Sequence, residues 1–124
     1  MLTLIRALML VAAATFVIAS AIHFGLPLPI RDRFPGAAVP EGVIAVVLAA
    51  GVAALTVWER AVRGWATAMG ATAFAVVLTA FGLSVTLGSA RTGDIAYHLF
   101  VLVLLVVTAA VLVAARRRSW NASR

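Results

Sequence analysis

The feature that most constrains this chain is a set of four long apolar stretches, which together fill most of its 124 residues. Hydrophobic side chains make up 65% of the sequence and charged ones only 11%, whereas soluble domains carry about a quarter charged residues. A helix needs about 20 apolar residues to cross a bilayer. We therefore expect an all-α integral membrane protein whose single domain, residues 1–124, is a four-helix transmembrane bundle.

The predicted helices cover residues 2–24, 42–58, 65–88 and 95–115. Arg6 lies close enough to the start of the first stretch for its side chain to reach the membrane interface. A cleaved signal peptide is the alternative for this stretch, because Ala19-Ser20-Ala21 resembles a cleavage site. The apolar run exceeds the ~7–15 residues of a signal-peptide core, which favours a retained helix.

The segments outside these stretches differ in character. All four prolines fall within residues 25–40, which predicts an irregular, solvated outer loop. Residues 116–124 are predicted to form a basic cytoplasmic tail.

The second and third stretches are rich in small residues, including Gly51 and the spaced pair Ala66 and Gly70, over which another helix can approach closely.

The distribution of arginine predicts the orientation of the bundle, because cytoplasmic loops carry an excess of basic residues. One side has Arg6, Arg60, Arg63, Arg116, Arg117, Arg118 and Arg124; the other has Arg31, Arg33 and Arg91. Both termini are therefore expected to be cytoplasmic, in the plasma membrane of a bacterium.

The basic residues also bear on the partners of the chain. Arg31 and Arg33 outside, and Arg116, Arg117 and Arg118 inside, are predicted to anchor lipid headgroups. We therefore attribute the net charge of +6 to the ends of the helices, next to the membrane surfaces. No nucleic-acid partner is predicted.

The same topology brings the only two histidines and two acids to the outer level, as His23, Glu41, Asp94 and His98. Ionisable groups in membrane segments are candidate site residues because lipid cannot solvate them. Imidazoles and carboxylates together could bind a divalent transition metal. In the plainer alternative, Asp94 and Glu41 stabilise helix N-termini while both histidines are interfacial.

Haem b is a second cofactor hypothesis for the two histidines. Ligation by both imidazoles would require them to face inward, with Gly25, Gly82 or Gly88 leaving room for the macrocycle.

No catalytic residue is predicted. The absence of cysteine excludes thiolate chemistry, and Ser84, His98 and Asp94 lack the nucleophile-elbow sequence of a hydrolase. The chain resembles small multidrug transporters in length alone, since the middle of each stretch lacks the carboxylate that proton-coupled export requires.

The sequence therefore predicts a small polytopic membrane protein that serves as an accessory or binding subunit of a membrane assembly. The alternatives are a metal- or haem-binding membrane protein with an outward-facing site, and a small-solute transporter built from several copies. The expected partners are the lipid bilayer, other membrane proteins or further copies of the chain.

Overall fold

In a computed structural model, four α-helices form the protein: α1 (Leu2–His23), α2 (Pro35–Val57), α3 (Val62–Leu87) and α4 (Thr92–Asn121). The structure describes residues 1–26, 35–88 and 92–121, except the side chain of Pro35. Each helix is long and apolar enough to cross a membrane. The prediction of an all-helical chain with four apolar helices is confirmed.

The second helix begins earlier than the sequence indicates. α2 starts at Pro35, so residues 35–40 of the predicted loop are helical, while residues 27–34 lie outside the described residues. Proline is tolerated in a first turn because the amide it lacks would have no helical partner there. Glu41 consequently lies inside the helix, and its interpretation as a first-turn residue is wrong.

The fourth helix is also longer than predicted, because it extends from Thr92 to Asn121. Arg116, Arg117 and Arg118, which the sequence analysis assigns to the tail, therefore belong to the helix. Arginine is a good helix former and is favourable near a helix C-terminus, where its charge meets the negative end of the dipole. Residues 122–124, like Arg31 and Arg33, lie outside the described residues.

Successive helices run antiparallel, so that contacts join opposite ends of neighbouring helices. Near the start of α1, Arg6 donates a 2.8 Å hydrogen bond to the carbonyl oxygen of Leu55 near the end of α2. Near the end of α3, Gly82 lies against His98 near the start of α4. α1 also contacts α4, and this contact, which closes the ring of helices, is the least extensive of the four.

The two ends of the bundle differ in chemistry. We name them the histidine end, with His23, Glu41, Asp94 and His98, and the arginine end, with Arg6, Arg60, Arg63 and Arg116, Arg117 and Arg118.

Small residues let the helices approach closely in the middle of the bundle. A Cβ atom added at Gly51 of α2 would lie 2.7 Å from Met9 Cε of α1 and 3.0 Å from Ala71 Cβ of α3. The small face at Gly51, which the sequence offers to another helix, is thus used within this chain.

Large apolar side chains fill the interior and also cover the outside. Those fully buried include Ile5, Met9, Phe16, Leu48, Leu55, Leu105 and Leu112. Exposed ones occur on all four helices, among them Leu10, Val46, Val77, Phe81 and Val103. Helices that are apolar on every face are typical of membrane spans, where backbone polar groups are bonded within the helix and side chains face lipid.

Candidate functional site

A buried pair of ionisable side chains joins α1 to α2 at the histidine end. His23 Nδ1 lies 2.7 Å from Glu41 Oε2, and the two residues are only 7% and 4% exposed. One turn earlier, the Ser20 hydroxyl donates a 2.7 Å hydrogen bond to the carbonyl oxygen of Ala38. These two interhelical bonds connect the last turn of α1 to the early turns of α2.

The position of Glu41 depends on the early start of α2. Because the helix already runs through Pro40, the carboxyl group projects from a helical turn toward α1 rather than from a loop. Pro40 has no N–H to donate, so the carbonyl group of Gly36 lacks its usual helical partner. Gly36 and Pro40 both line the cavity described below.

The hydrogen bond of His98 determines which of its nitrogens carries the proton. Nδ1 lies 2.8 Å from the backbone carbonyl oxygen of Asp94. A carbonyl oxygen can only accept, so Nδ1 must be the protonated nitrogen, and the neutral ring then presents Nε2 as an acceptor. The residue is only 9% exposed.

Gly82 provides the space into which the His98 ring fits. A Cβ atom at this position would lie 2.7 Å from Nε2 and 3.0 Å from Cδ2 of His98. The first distance is shorter than real Cβ contacts, and the second is tighter than nine in ten of them. On the other side, Tyr97 meets the His98 ring edge to face, with ring centroids 5.1 Å apart.

A cavity of about 450 Å³ lies among the four helices at the histidine end. Its polar lining comes from His23, Thr79, Thr86, Asp94 and His98, and its apolar lining includes Phe16, Pro40, Ile44, Leu78, Phe81 and Val85. The Thr79 hydroxyl donates to the carbonyl oxygen of Ala75 in its own helix. An apolar cavity of this size with a few convergent polar groups is typical of sites for small ligands.

A second cavity, of about 420 Å³, lies between α1 and α4. It is lined by Thr15, Ile18, Ala19, Ile22, His23, Gly93, Asp94 and Tyr97. His23 and Asp94 line both cavities, so these two residues lie between them. α1 and α4 make the least extensive contact of the four pairs of neighbouring helices, and the second cavity lies along this contact.

Two oxygen atoms at the site are buried without a hydrogen-bond partner in the part of the chain that the structure describes: Glu41 Oε1 and the Tyr97 hydroxyl oxygen. The Glu41 carboxyl group lies within electrostatic range of Tyr97, His98 and Asp94 as well as of its partner His23. Buried polar atoms without a partner are destabilising, and native proteins commonly satisfy them with an ordered water or a ligand.

The predicted site residues therefore gather at one end of the bundle, but not as a metal centre. Among residues 1–26, 35–88 and 92–121 there is no group of three or more His, Asp or Glu side chains that could hold a metal ion. His23 Nδ1 is engaged by Glu41, and His98 Nδ1 is bonded to its own helix. The metal hypothesis is not supported.

The haem hypothesis is not supported by the position of α3. The space that Gly82 leaves is occupied by the His98 ring itself, with the α3 backbone close to Nε2. The macrocycle of a haem ligated through Nε2 would overlap this backbone. The other two glycines of the haem hypothesis lie at helix ends. Gly25 follows α1 with a φ of 81°, and Gly88 is the C-terminal cap of α3.

The hydrolase arrangement is absent from the described residues. Ser84 is exposed and donates its hydroxyl to the carbonyl oxygen of Phe81, while His98 Nδ1 bonds to the main chain of Asp94. No Ser–His–carboxylate relay is formed.

Sequence reasoning missed two members of the site. Tyr97 is not among the predicted site residues, yet its hydroxyl oxygen is buried; its position next to His98 was the available signal. Ser20 is the second, because serines in membrane helices commonly bond within their own helix, whereas this hydroxyl donates to α2. Comparisons with protein-family models, with characterised proteins and with solved structures give no match for this chain.

Proposed function

We propose that this chain is an integral membrane protein that binds a small, mainly apolar molecule in the cavity at its histidine end. The observation that carries the proposal is the apolar cavity of about 450 Å³ against which a buried His–Glu pair and a second buried imidazole are placed. Ionisable groups at this depth are costly in lipid and are functional-site candidates by default. A ligand with an apolar body and a polar group would match both parts of the lining.

The proposal includes the orientation predicted from the arginines, with the arginine end facing the cytoplasm of a bacterial cell and the histidine end facing out. The chain has no cysteine, so single cysteines can report on sidedness. Exposed positions are available at both ends, Ser119 at the arginine end and Gly93 at the histidine end. In intact cells a membrane-impermeant maleimide should label G93C and not S119C; the reverse pattern would refute the orientation.

Binding can be tested by analysing the small molecules that co-purify with the protein in mild detergent, using native mass spectrometry. Val85 lines the cavity and Val77 does not, although both are exposed valines of α3. A V85W variant should lose a co-purifying molecule through filling of the cavity, while V77W retains it. If the wild type carries no molecule and screening with apolar compounds gives no saturable shift in Tm, the binding function is refuted.

An accessory role in a larger membrane assembly is the second candidate, and one observation favours it. Ala66 and Gly70 are exposed on the outer face of α3, and a Cβ atom added at Gly70 would meet nothing within 4 Å. Such a spaced pair of small residues lets a second transmembrane helix approach closely. Crosslinking in native membranes should yield a partner that G70L loses and that V77L, on the same helix, retains.

The transporter alternative receives less support from the interior. The buried threonines Thr72, Thr79 and Thr108 each donate to the carbonyl oxygen four residues earlier, so their hydroxyls are satisfied within their own helices. They do not extend a polar surface from the histidine end through the bundle.

A further inference from the structure

We infer that the ligand of the cavity is a hydrogen-bond donor, a lipophilic phenol whose hydroxyl group donates to His98 Nε2. This inference rests on the proposed binding function and names the ligand class for that site. It follows from the tautomer of His98, from the position of His98 in the lining of the cavity and from the apolar walls of the cavity.

The tautomer of His98 determines that the ligand must be the donor in a hydrogen bond with Nε2. Within the described residues, the hydrogen bond of the His98 ring is made by Nδ1, to the carbonyl oxygen of Asp94. The neutral ring can then offer only a lone pair at Nε2. The residue lines the cavity and is 9% exposed, so little bulk water reaches this acceptor. A group that donates a proton into the bond satisfies it; an ether or a ketone cannot.

Gly82 allows the His98 ring to take this position in the lining of the cavity. Any side chain there would place a Cβ atom 2.7 Å from Nε2 and would crowd both the ring and a ligand bound to it. Glycine leaves Nε2 without a side chain from residue 82 in front of it, so a partner as small as a hydroxyl group meets less crowding there than a macrocycle does.

The walls favour an aromatic ring carrying the hydroxyl group. Phe16 and Phe81 line the cavity together with aliphatic side chains of α2 and α3. Aromatic rings pack favourably against one another beyond the area they bury. A phenol hydroxyl also donates more strongly than an alkyl hydroxyl, which suits a neutral imidazole acceptor.

Access from the surrounding lipid is available beside the same residues. The cavity between α1 and α4 adjoins the first at His23 and Asp94, and the α1–α4 contact is the least extensive among the four pairs of neighbouring helices. A lipophilic phenol dissolved in the bilayer could therefore reach His98 by separation of these two helices, without passing through the aqueous phase.

The test compares 4-heptylphenol with its methyl ether, 4-heptylanisole, which has similar apolar surface but no donor. Binding to purified wild-type protein is measured by displacement of the co-purifying molecule or by the shift in Tm. We expect the phenol to bind about tenfold more tightly, since one hydrogen bond to a buried acceptor is worth about one such factor. H98F should abolish the difference in affinity between the phenol and the ether.

G82A is the second variant, in case H98F does not fold. Its added methyl group should reduce phenol binding through crowding at Nε2, while G70A, on the same helix with open space around its Cβ, should bind as the wild type does. Equal affinity of the wild type for phenol and ether would overturn the hydroxyl inference and leave the binding function intact. Binding of neither compound, while a co-purifying molecule is still lost in V85W, would also overturn the inference alone. If that molecule is absent as well, the binding function fails with it.

Discussion

The His23–Glu41 pair is expected to be the strongest pairwise side-chain interaction in the described part of the molecule, and a double-mutant cycle can measure it. The perturbations are H23F, E41L and the double variant, which replace the pair by apolar groups. Breaking a buried pair by removing one partner leaves the other without compensation in a low-dielectric interior. Replacing both residues removes their interaction and also removes the free-energy cost of burying the two ionisable groups.

The magnitude follows from the geometry of the pair. In the ionised form of the pair, two unit charges 2.7 Å apart attract by about 6 kcal/mol at an effective dielectric constant of about 20. The cost of desolvating two groups that are 7% and 4% exposed offsets part of this attraction. We expect each single variant to lower the free energy of unfolding by about 3 kcal/mol and the double variant to change it by less than about 1 kcal/mol. The resulting coupling is several kcal/mol.

The assay is reversible unfolding in mixed micelles titrated with a denaturing detergent and followed by circular dichroism. The Arg6–Glu59 pair at the arginine end is the matched control, because its atoms lie 3.0 Å apart but its side chains are 25% and 43% exposed. Its cycle, R6M with E59Q, should give a coupling below about 1 kcal/mol. A His23–Glu41 coupling as small as that of the control would refute the reasoning that burial makes this pair strong.

Three further predictions concern the glycines and metal dependence. G82A should lower the free energy of unfolding by about 1 kcal/mol, because crowding of His98 exceeds the gain in helix propensity. G70A, with open space around its Cβ atom, should raise it by about 0.5–1 kcal/mol. Equal effects of the two variants in the same titration would contradict this. G64A should cost about 3 kcal/mol, since its Cβ atom would overlap the carbonyl oxygen of Trp58, and a thermal midpoint like that of the wild type would refute the close approach. Treatment with EDTA should leave the Tm unchanged, since the described residues form no group of three potential metal ligands; a fall of several degrees, reversed by one metal, would restore the metal hypothesis.

Much of the candidate site could be predicted because successive helices are antiparallel. The last turn of one helix and the first turn of the next therefore lie at the same end of the bundle. Once four apolar spans are recognised, His23, Glu41, Asp94 and His98 must all occur toward one end. The partner of each side chain could not be predicted in the same way. Whether two residues at one level meet depends on the rotation of each helix about its axis, which packing of the whole bundle determines.

The sequence by itself determined that the chain forms four apolar helices and that its basic residues gather mainly at one end, because length and hydropathy are local properties. Only the tertiary structure decided that α2 begins at Pro35 and that Glu41 meets His23 in the interior. It also decided that His98 donates through Nδ1 and lies against Gly82. Proline tolerates both a loop and a first helical turn, and an imidazole can donate or accept at either nitrogen, so neighbouring helices and carbonyl groups select between states that the sequence leaves equally open.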